Sequence, residues 1–201
     1  MDFKSHLEVA WHQTLKYLAP LILMTLVMVI VSMVTLGILA LVMMAGYIHA
    51  ILQMIRNGRQ PQIQDLFSTM NLFLPLLAFS IVAAVAIIIG MQMFVLPGLA
   101  VICALAFGCL YMVPLMVDRH MGLVDAIRTS WQLAVKDNPA DQIVVAILFL
   151  GFIAIGSSVF IGTLLTQPFA MVFLMSVYLE KVKSLDEDAD QPPAPEHTTD
   201  S

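Results

Sequence analysis

Charge is what this chain has least of. Of its 201 residues only 11% are Asp, Glu, Lys or Arg, while 60% are hydrophobic. Soluble domains carry roughly 25% charged residues. A domain of this size also leaves too much surface exposed to hide so many apolar side chains. The mean hydropathy of +0.93 points the same way, and lipid is the expected solvent. The nine Lys and Arg are scattered, which excludes the clustered basic patch that nucleic acid requires.

Cysteine is nearly missing as well. Cys103 and Cys109 stand six residues apart in one apolar run. On a helix that is about 600° of turn, so they point in different directions. They read as small apolar filler, not as a disulfide or a shared metal site. No nucleophile–base pairing, metal-ligand cluster or phosphate loop stands out. His6, His12, His120 and His197 are dispersed and expected to be solvated. Neither an enzyme nor a bound cofactor or metal is therefore expected. The start does not resemble a cleavable signal, because acids and bases alternate through Lys16 before an apolar run far too long for one.

The net charge of −5 is misleading. Asp186, Glu187, Asp188, Asp190, Glu196 and Asp200 lie beyond Ser184 with no base among them, leaving nine bases against eight acids before it. Residues 184–201, acidic and Pro-rich, are predicted to be a disordered cytoplasmic tail.

What fills the rest is apolar sequence in lengths suited to a bilayer, about 20 residues per crossing. Six crossings are predicted, at about 18–36, 38–55, 71–89, 97–117, 142–158 and 162–180. The fold class is all-α, a polytopic membrane helix bundle over residues 1–183. Pro20 and Pro97 suit the first turn of a helix. Pro114 and Pro168 fall inside crossings and should bend them. Three amphipathic stretches, 3–17, 62–70 and 122–136, are predicted to lie in the cytoplasmic interface. In the first, Phe3, Leu7, Ala10/Trp11, Leu15 and Leu18 form the apolar face, His6 falls on the polar one, and Ser5 with Glu8 matches a capping box. Trp11 and Tyr17 are placed at headgroup level. Each stretch carries an aromatic eight or nine residues before a proline: Trp11 to Pro20, Phe67 to Pro75, Trp131 to Pro139. That suggests a triplicated unit, or only the ordinary taste of interfacial helices for aromatics.

Orientation follows from the bases. With six crossings all nine fall on one side, and the opposite turns carry no charge. The positive-inside rule then puts both termini in the cytoplasm. Small residues at helical spacing, Ala100-Ala104-Gly108, Ala154-Ser158-Gly162 and Ala83-Ala86-Gly90, should face the bundle interior, where they let backbones approach.

Two sets of residues could carry function. The interior of every crossing lacks Asp, Glu, Lys and Arg, which speaks against ion-coupled transport. His49, with Gly46 and Gln53 on one helix face, could contact a ligand or simply hydrogen-bond between helices. Thr166 and Gln167 beside Pro168 could do the same, or could satisfy backbone that the proline frees. On the polar stretch from Asp118 to Lys136, Asp118, Asp125, Arg128 and Trp131 are candidate docking residues for a cytoplasmic partner.

The pattern resembles bacterial inner-membrane proteins of the YciC-like group and the membrane domain attached to some glycerophosphodiester phosphodiesterases. The residues that carry the resemblance are Arg56 with Gly58 and Pro61, Asp65-Leu66-Phe67, Leu96-Pro97-Gly98, then Asp118, Gly122, Ala126, Ser130 and Lys136, and finally Gly162, Pro168 and Tyr178. The resemblance implies a six-helix bundle in the bacterial cytoplasmic membrane and hints at an accessory role; it supplies no reaction. Two functions remain open: an accessory, scaffold or assembly protein of the cell envelope, with the lipid bilayer and a membrane protein or a second copy as candidate partners; or a transporter or lipid-handling protein whose cavity His49, Gln53, Thr166 and Gln167 would line.

Overall fold

A computed structural model describes residues 3–93, 95–136, 139–157 and 160–189. In chain order the elements are α1 (Phe3–Lys16), α2 (Leu18–Val34), α3 (Ala40–Asn57), two short 3-10 turns (Ile63–Phe67 and Met70–Leu72), α4 (Phe73–Met93), α5 (Val95–Gly108), α6 (Met112–Asp118), α7 (Leu123–Lys136), α8 (Pro139–Ser157) and α9 (Phe160–Ala189). Among the described residues every regular element is helical, and together they form a bundle.

Three segments are long and apolar enough to cross a membrane: Ile63–Gln92, Pro97–Asp118 and Gly162–Glu187. Two bent pairs, α1 with α2 at 87° and α7 with α8 at 112°, raise the number to five if each pair is one span. Several apolar helices of membrane-spanning length mark a membrane protein. The missing sixth is α3, whose polarity comes from His49, Gln53, Arg56 and Asn57.

Helix α3 is the central column. Ten of its 18 residues are buried, more than a helix facing lipid on one side would show. Its apolar run packs under α2, α6 and α9, with Tyr47, Ile48 and Ile51 fully covered. The chain enters it through a tight turn in which Leu36 and Gly37 take left-handed φ of 51° and 83°; glycine does this without strain. At the far end Gly58 adopts the left-handed cap conformation, and its N–H bonds back to the Met54 carbonyl at 3.0 Å. The Tyr17 hydroxyl donates to the Gly58 carbonyl at 2.9 Å, tying the α1–α2 elbow to that end. Tyr17 is buried there within the chain.

The stretch 62–70 departs most from expectation. It forms no amphipathic α-helix. From Gly58 the chain doubles back along α3: the Leu66 backbone lies against Gly46, and the Thr69 hydroxyl donates to the Val42 carbonyl at 3.3 Å. Twelve residues of helix separate Gly46 from Gly58, about 18 Å. The 3-10 geometry has a local cause. The Asp65 carboxylate accepts the Gln62 backbone N–H at 3.0 Å and the Arg59 guanidinium at 2.8 Å, tightening the first turn, and only a glycine on α3 leaves room for the backbone. The middle stretch therefore does not share the structure of the other two. Two are helices that end in a sharp bend, and the middle one runs into α4 within a single 30-residue segment.

The break between α5 and α6 lies at Cys109–Tyr111, upstream of Pro114, which takes the third position of α6. Neighbouring helices meet the backbone groups it frees. The Ser130 hydroxyl donates to the Gly108 carbonyl at 2.6 Å and accepts the Tyr111 N–H at 3.2 Å. The Gln142 amide donates to the Phe107 carbonyl at 3.1 Å. Broken helices at membrane depth need such partners.

The glycines of the small-residue stripes make close approaches. Gly90 meets Gly98, Gly156 meets Gly162 and Thr166, and Gly108 carries the Trp131 ring. Ala86, Ala100, Ala104 and Ala154 are exposed, so those faces point away from the bundle; Ser158 lies outside the described residues. Helix α1 begins at Phe3, which puts Ser5 inside it and not at a cap. The acidic stretch from Ser184 continues α9 as far as Ala189.

Candidate functional site

The polar side chains gather at the end of the bundle where α3, α6 and α9 come together. Asp118, the last residue of α6, has a side chain only 6% exposed. Arg56 from α3 grips it through both terminal nitrogens, the Nη2–Oδ2 bond measuring 2.9 Å. The Tyr178 hydroxyl from α9 donates to the same Oδ2 at 3.0 Å. Next door Arg119 binds Asp186 at 2.5 Å. That bond raises the already high Arg119 pKa, so the guanidinium stays charged at any accessible pH. Lys181 is fully buried; its ammonium donates to the Leu133 carbonyl of α7 at 2.9 Å and stands 5.6 Å from the centre of the Tyr111 ring.

A second cluster joins α1 to α9. The His6 Nδ1 lies 2.7 Å from the Ser176 hydroxyl, and its Nε2 lies 2.6 Å from the Glu180 carboxylate. His6 is buried, not solvated on a polar face. The face of α1 that meets α9 is His6, Ala10 and Thr14, while Trp11 and Leu15 point outward. Sequence periodicity missed this because the buried stripe cuts across the two faces: His6 comes from the polar side and Ala10 from the apolar side, while Lys4, Glu8, His12 and Lys16 stay exposed. The signal was present: Ser176, Glu180 and Lys181 form a polar patch at the end of an otherwise apolar helix.

The expected ligand residues are not brought together. Gln53 is half-buried on α3 and accepts from the Asn57 amide at 2.6 Å. His49 is half-buried one turn from Gly46, on the helix that the 58–69 segment covers. On α9, Thr166 donates to the Gly162 carbonyl at 2.9 Å, one turn back along its own helix, and Gln167 reaches the Met28 sulfur at 3.8 Å. Thr166 lines an apolar groove of about 380 Å³ between α1 and the α8–α9 hairpin, which His49, Gln53 and Gln167 do not border.

Of the docking candidates, Asp125 and Arg128 are exposed on α7. Trp131 is 49% exposed, with one edge against Gly108 and Phe107. It borders a shallow depression with Gln132, Val135 and Leu185. Asp118 is different: its carboxylate is occupied within the chain. Among the described residues no group of three or more His, Cys, Asp or Glu could hold a metal. Compared with known proteins, the chain matches no family model, no curated protein and no solved structure.

Proposed function

We propose that this chain is a multi-pass protein of the bacterial cytoplasmic membrane, with both termini in the cytoplasm, that works as an accessory or scaffold protein of the envelope. The observation that carries this is the contrast between the two ends of the polar inventory. The buried charges are used up in tying helices to one another, while the α4–α5 hairpin stands almost uncovered. Only 6% of the most apolar window of the α4 segment is buried inside the chain, and Val82, Ile88 and Leu99 are more than half exposed. Exposed Ala86, Ala100 and Ala104 on the same hairpin would let a partner helix approach closely.

The six-crossing count is part of the proposal. It requires α3 to cross inside a sheath of other helices, which suits a polar helix that lipid would not accept alone. Arg56, Asp118 and Tyr178 all belong to the YciC-like resemblance and meet in one cluster, which supports kinship at the level of fold.

Cys103 is exposed on α5 and provides the test. In native membranes from cells expressing a Cys109→Ala variant, a bifunctional maleimide should trap Cys103 in a discrete adduct, with a second copy or with one partner. Ala104→Leu should reduce it. A Cys103 that stays monomeric under conditions that modify it fully would count against a scaffold built on this hairpin. A second reading, lipid handling, is favoured by one observation only: the α1–α9 groove.

A further inference from the structure

The far end of α9 stops beside a half-covered aromatic. Trp131, Gln132 and Val135 of α7 and Leu185 of α9 line a shallow, mainly apolar groove of about 510 Å³. Trp131 and Val135 are 49% and 47% exposed. Asp186, the residue after Leu185, bonds Arg119 at 2.5 Å, which pins this last stretch of α9 against the α6–α7 connection. The groove therefore lies among the charges at the polar end of the bundle, not along its apolar sides.

Residues 190–201 lie outside the described residues. Leu185 to Ala189 is four helical steps, about 6 Å. Asp190 and Gln191 then allow roughly 10 Å of extended chain before Pro192, enough to double back to the groove. Pro192, Pro193 and Pro195 fall within four residues. Runs of that composition favour polyproline II, which rises about 3.1 Å per residue and leaves its carbonyls free for outside donors. Domains that read it use a groove walled by aromatics. Here Trp131 offers the ring, Val135 and Leu185 the apolar edges, and Gln132 a side-chain amide as donor. Charge agrees: Glu196 directly follows the prolines, and Arg128 is exposed one turn before Gln132.

We infer that Pro192–Pro195 of this chain's own tail docks in the α7–α9 groove, with its prolines on Trp131 and Glu196 toward Arg128. A composition that cannot build a core of its own suits this role, because the fixed φ of proline lowers the cost of ordering on binding. On so short a tether the segment meets the groove at an effective concentration on the order of millimolar, so even a weak contact stays made. The covered face is the one that carries Arg128 and Trp131, two of the candidate docking residues. The tail is then a built-in cover that any partner for this face must displace.

The test uses the full chain with Cys103→Ala and Cys109→Ala, to which Gln132→Cys and Ala194→Cys are added. Oxidation of native membranes with copper–phenanthroline should join the tryptic peptide Thr129–Lys136 to the one that starts at Ser184, within one chain. Pro192→Ser, Pro193→Ser and Pro195→Ser together keep the tether length and leave every packed residue in place. They should slow the link on the order of tenfold. In a Trp11→Phe chain Trp131 is the sole tryptophan, and the same three substitutions should raise its quenching by acrylamide roughly twofold as the ring loses its cover. Linking at equal rates with and without the prolines would mean that a loose tail merely collides with α7, and would overturn the inference. Disulfides that join two chains would give the groove to a neighbouring copy, and strong quenching of Trp131 by brominated-chain lipid would give it to the bilayer; either result overturns it as well.

Discussion

Arg56 and Asp118 are 62 residues apart in sequence and share two hydrogen bonds. The pair closes the bundle where α3 and α6 end, and Tyr178 brings α9 onto the same carboxylate. Asp118 is nearly covered, so the pair differs from a surface salt bridge, which contributes little. Arg56→Ala would leave a buried carboxylate with the tyrosine as its remaining ligand from the cluster. A loss of about 1–3 kcal/mol is expected, roughly 2–12 °C in thermal midpoint for a chain of this size. Arg56→Lys should rescue only part of it, since an ammonium cannot fork. Combining Arg56→Ala with Asp118→Ala should cost less than the two single losses added. Additive losses, measured by thermal unfolding in detergent, would mean that the two residues act independently.

Two glycines should respond with opposite signs. A Cβ at Gly46 would stand 2.2 Å from the Leu66 carbonyl oxygen, whereas one at Gly151 would meet nothing within 4 Å. Gly151→Ala removes backbone freedom from a helix interior and should stabilise by up to about 1 kcal/mol. Gly46→Ala must push the 3-10 segment off α3 and should cost about 1–3 kcal/mol or more. Thermal unfolding of both variants in one detergent checks the contrast. Equal effects would show that the 58–69 segment is not seated on α3.

How much of this was legible beforehand depends on which forces acted locally. The turn at Leu36–Gly37, the ends of α2 and the amphipathic α7 follow from uncharged length, a glycine and helical spacing, all properties of neighbouring residues. The 62–70 stretch was misleading because Ile63, Leu66, Phe67 and Met70 fit α-helical spacing, while a contact with Gly46 and the Asp65 cap decide its real form. The site residues were obscured for a related reason. Helical spacing splits α1 into an apolar and a polar face, but the stripe that meets α9, His6, Ala10 and Thr14, takes residues from both sides and shows itself only once α9 is set against it. Likewise Asp118 and Arg56 each read as a flanking charge; only the fold shows that they are partners.

The link between α1 and α9 makes a local prediction. His6 uses both ring nitrogens, one toward Ser176 and one toward Glu180. His6→Ala removes both contacts and leaves a gap at a buried position. Backbone amides of α1 should then exchange with deuterium faster, with those in the middle of α3 unchanged, because α3 is held by other contacts. Glu180→Gln should have a smaller effect of the same kind. Exchange in α1 that matches the parent protein would assign its position to the Tyr17–Gly58 bond and apolar packing alone.

The path of residues 58–69 is the point at which membrane placement can be tested most directly. Gly58 caps the end of α3 that carries Arg56, while Thr69 reaches the carbonyl of Val42 near the other end. Sixteen residues of helix separate those levels, about 24 Å, against a hydrocarbon core of about 30 Å. If α3 crosses the membrane, Ser68 lies deep in it and Gln60 at its edge. Both side chains are exposed on the protein surface, so accessibility to a reagent depends on the bilayer and not on burial in the fold. With Cys103 and Cys109 replaced by alanine, Gln60→Cys should react quickly with a membrane-impermeant maleimide from the side that carries the bases. Ser68→Cys should react at least tenfold more slowly in sealed membranes, yet at a similar rate once the protein is in detergent. A reporter at Gly37 should at the same time be active only on the opposite side. Equal labelling of both cysteines in sealed membranes would return the segment to the interface, and would require α3 to lie along the membrane surface instead of across it.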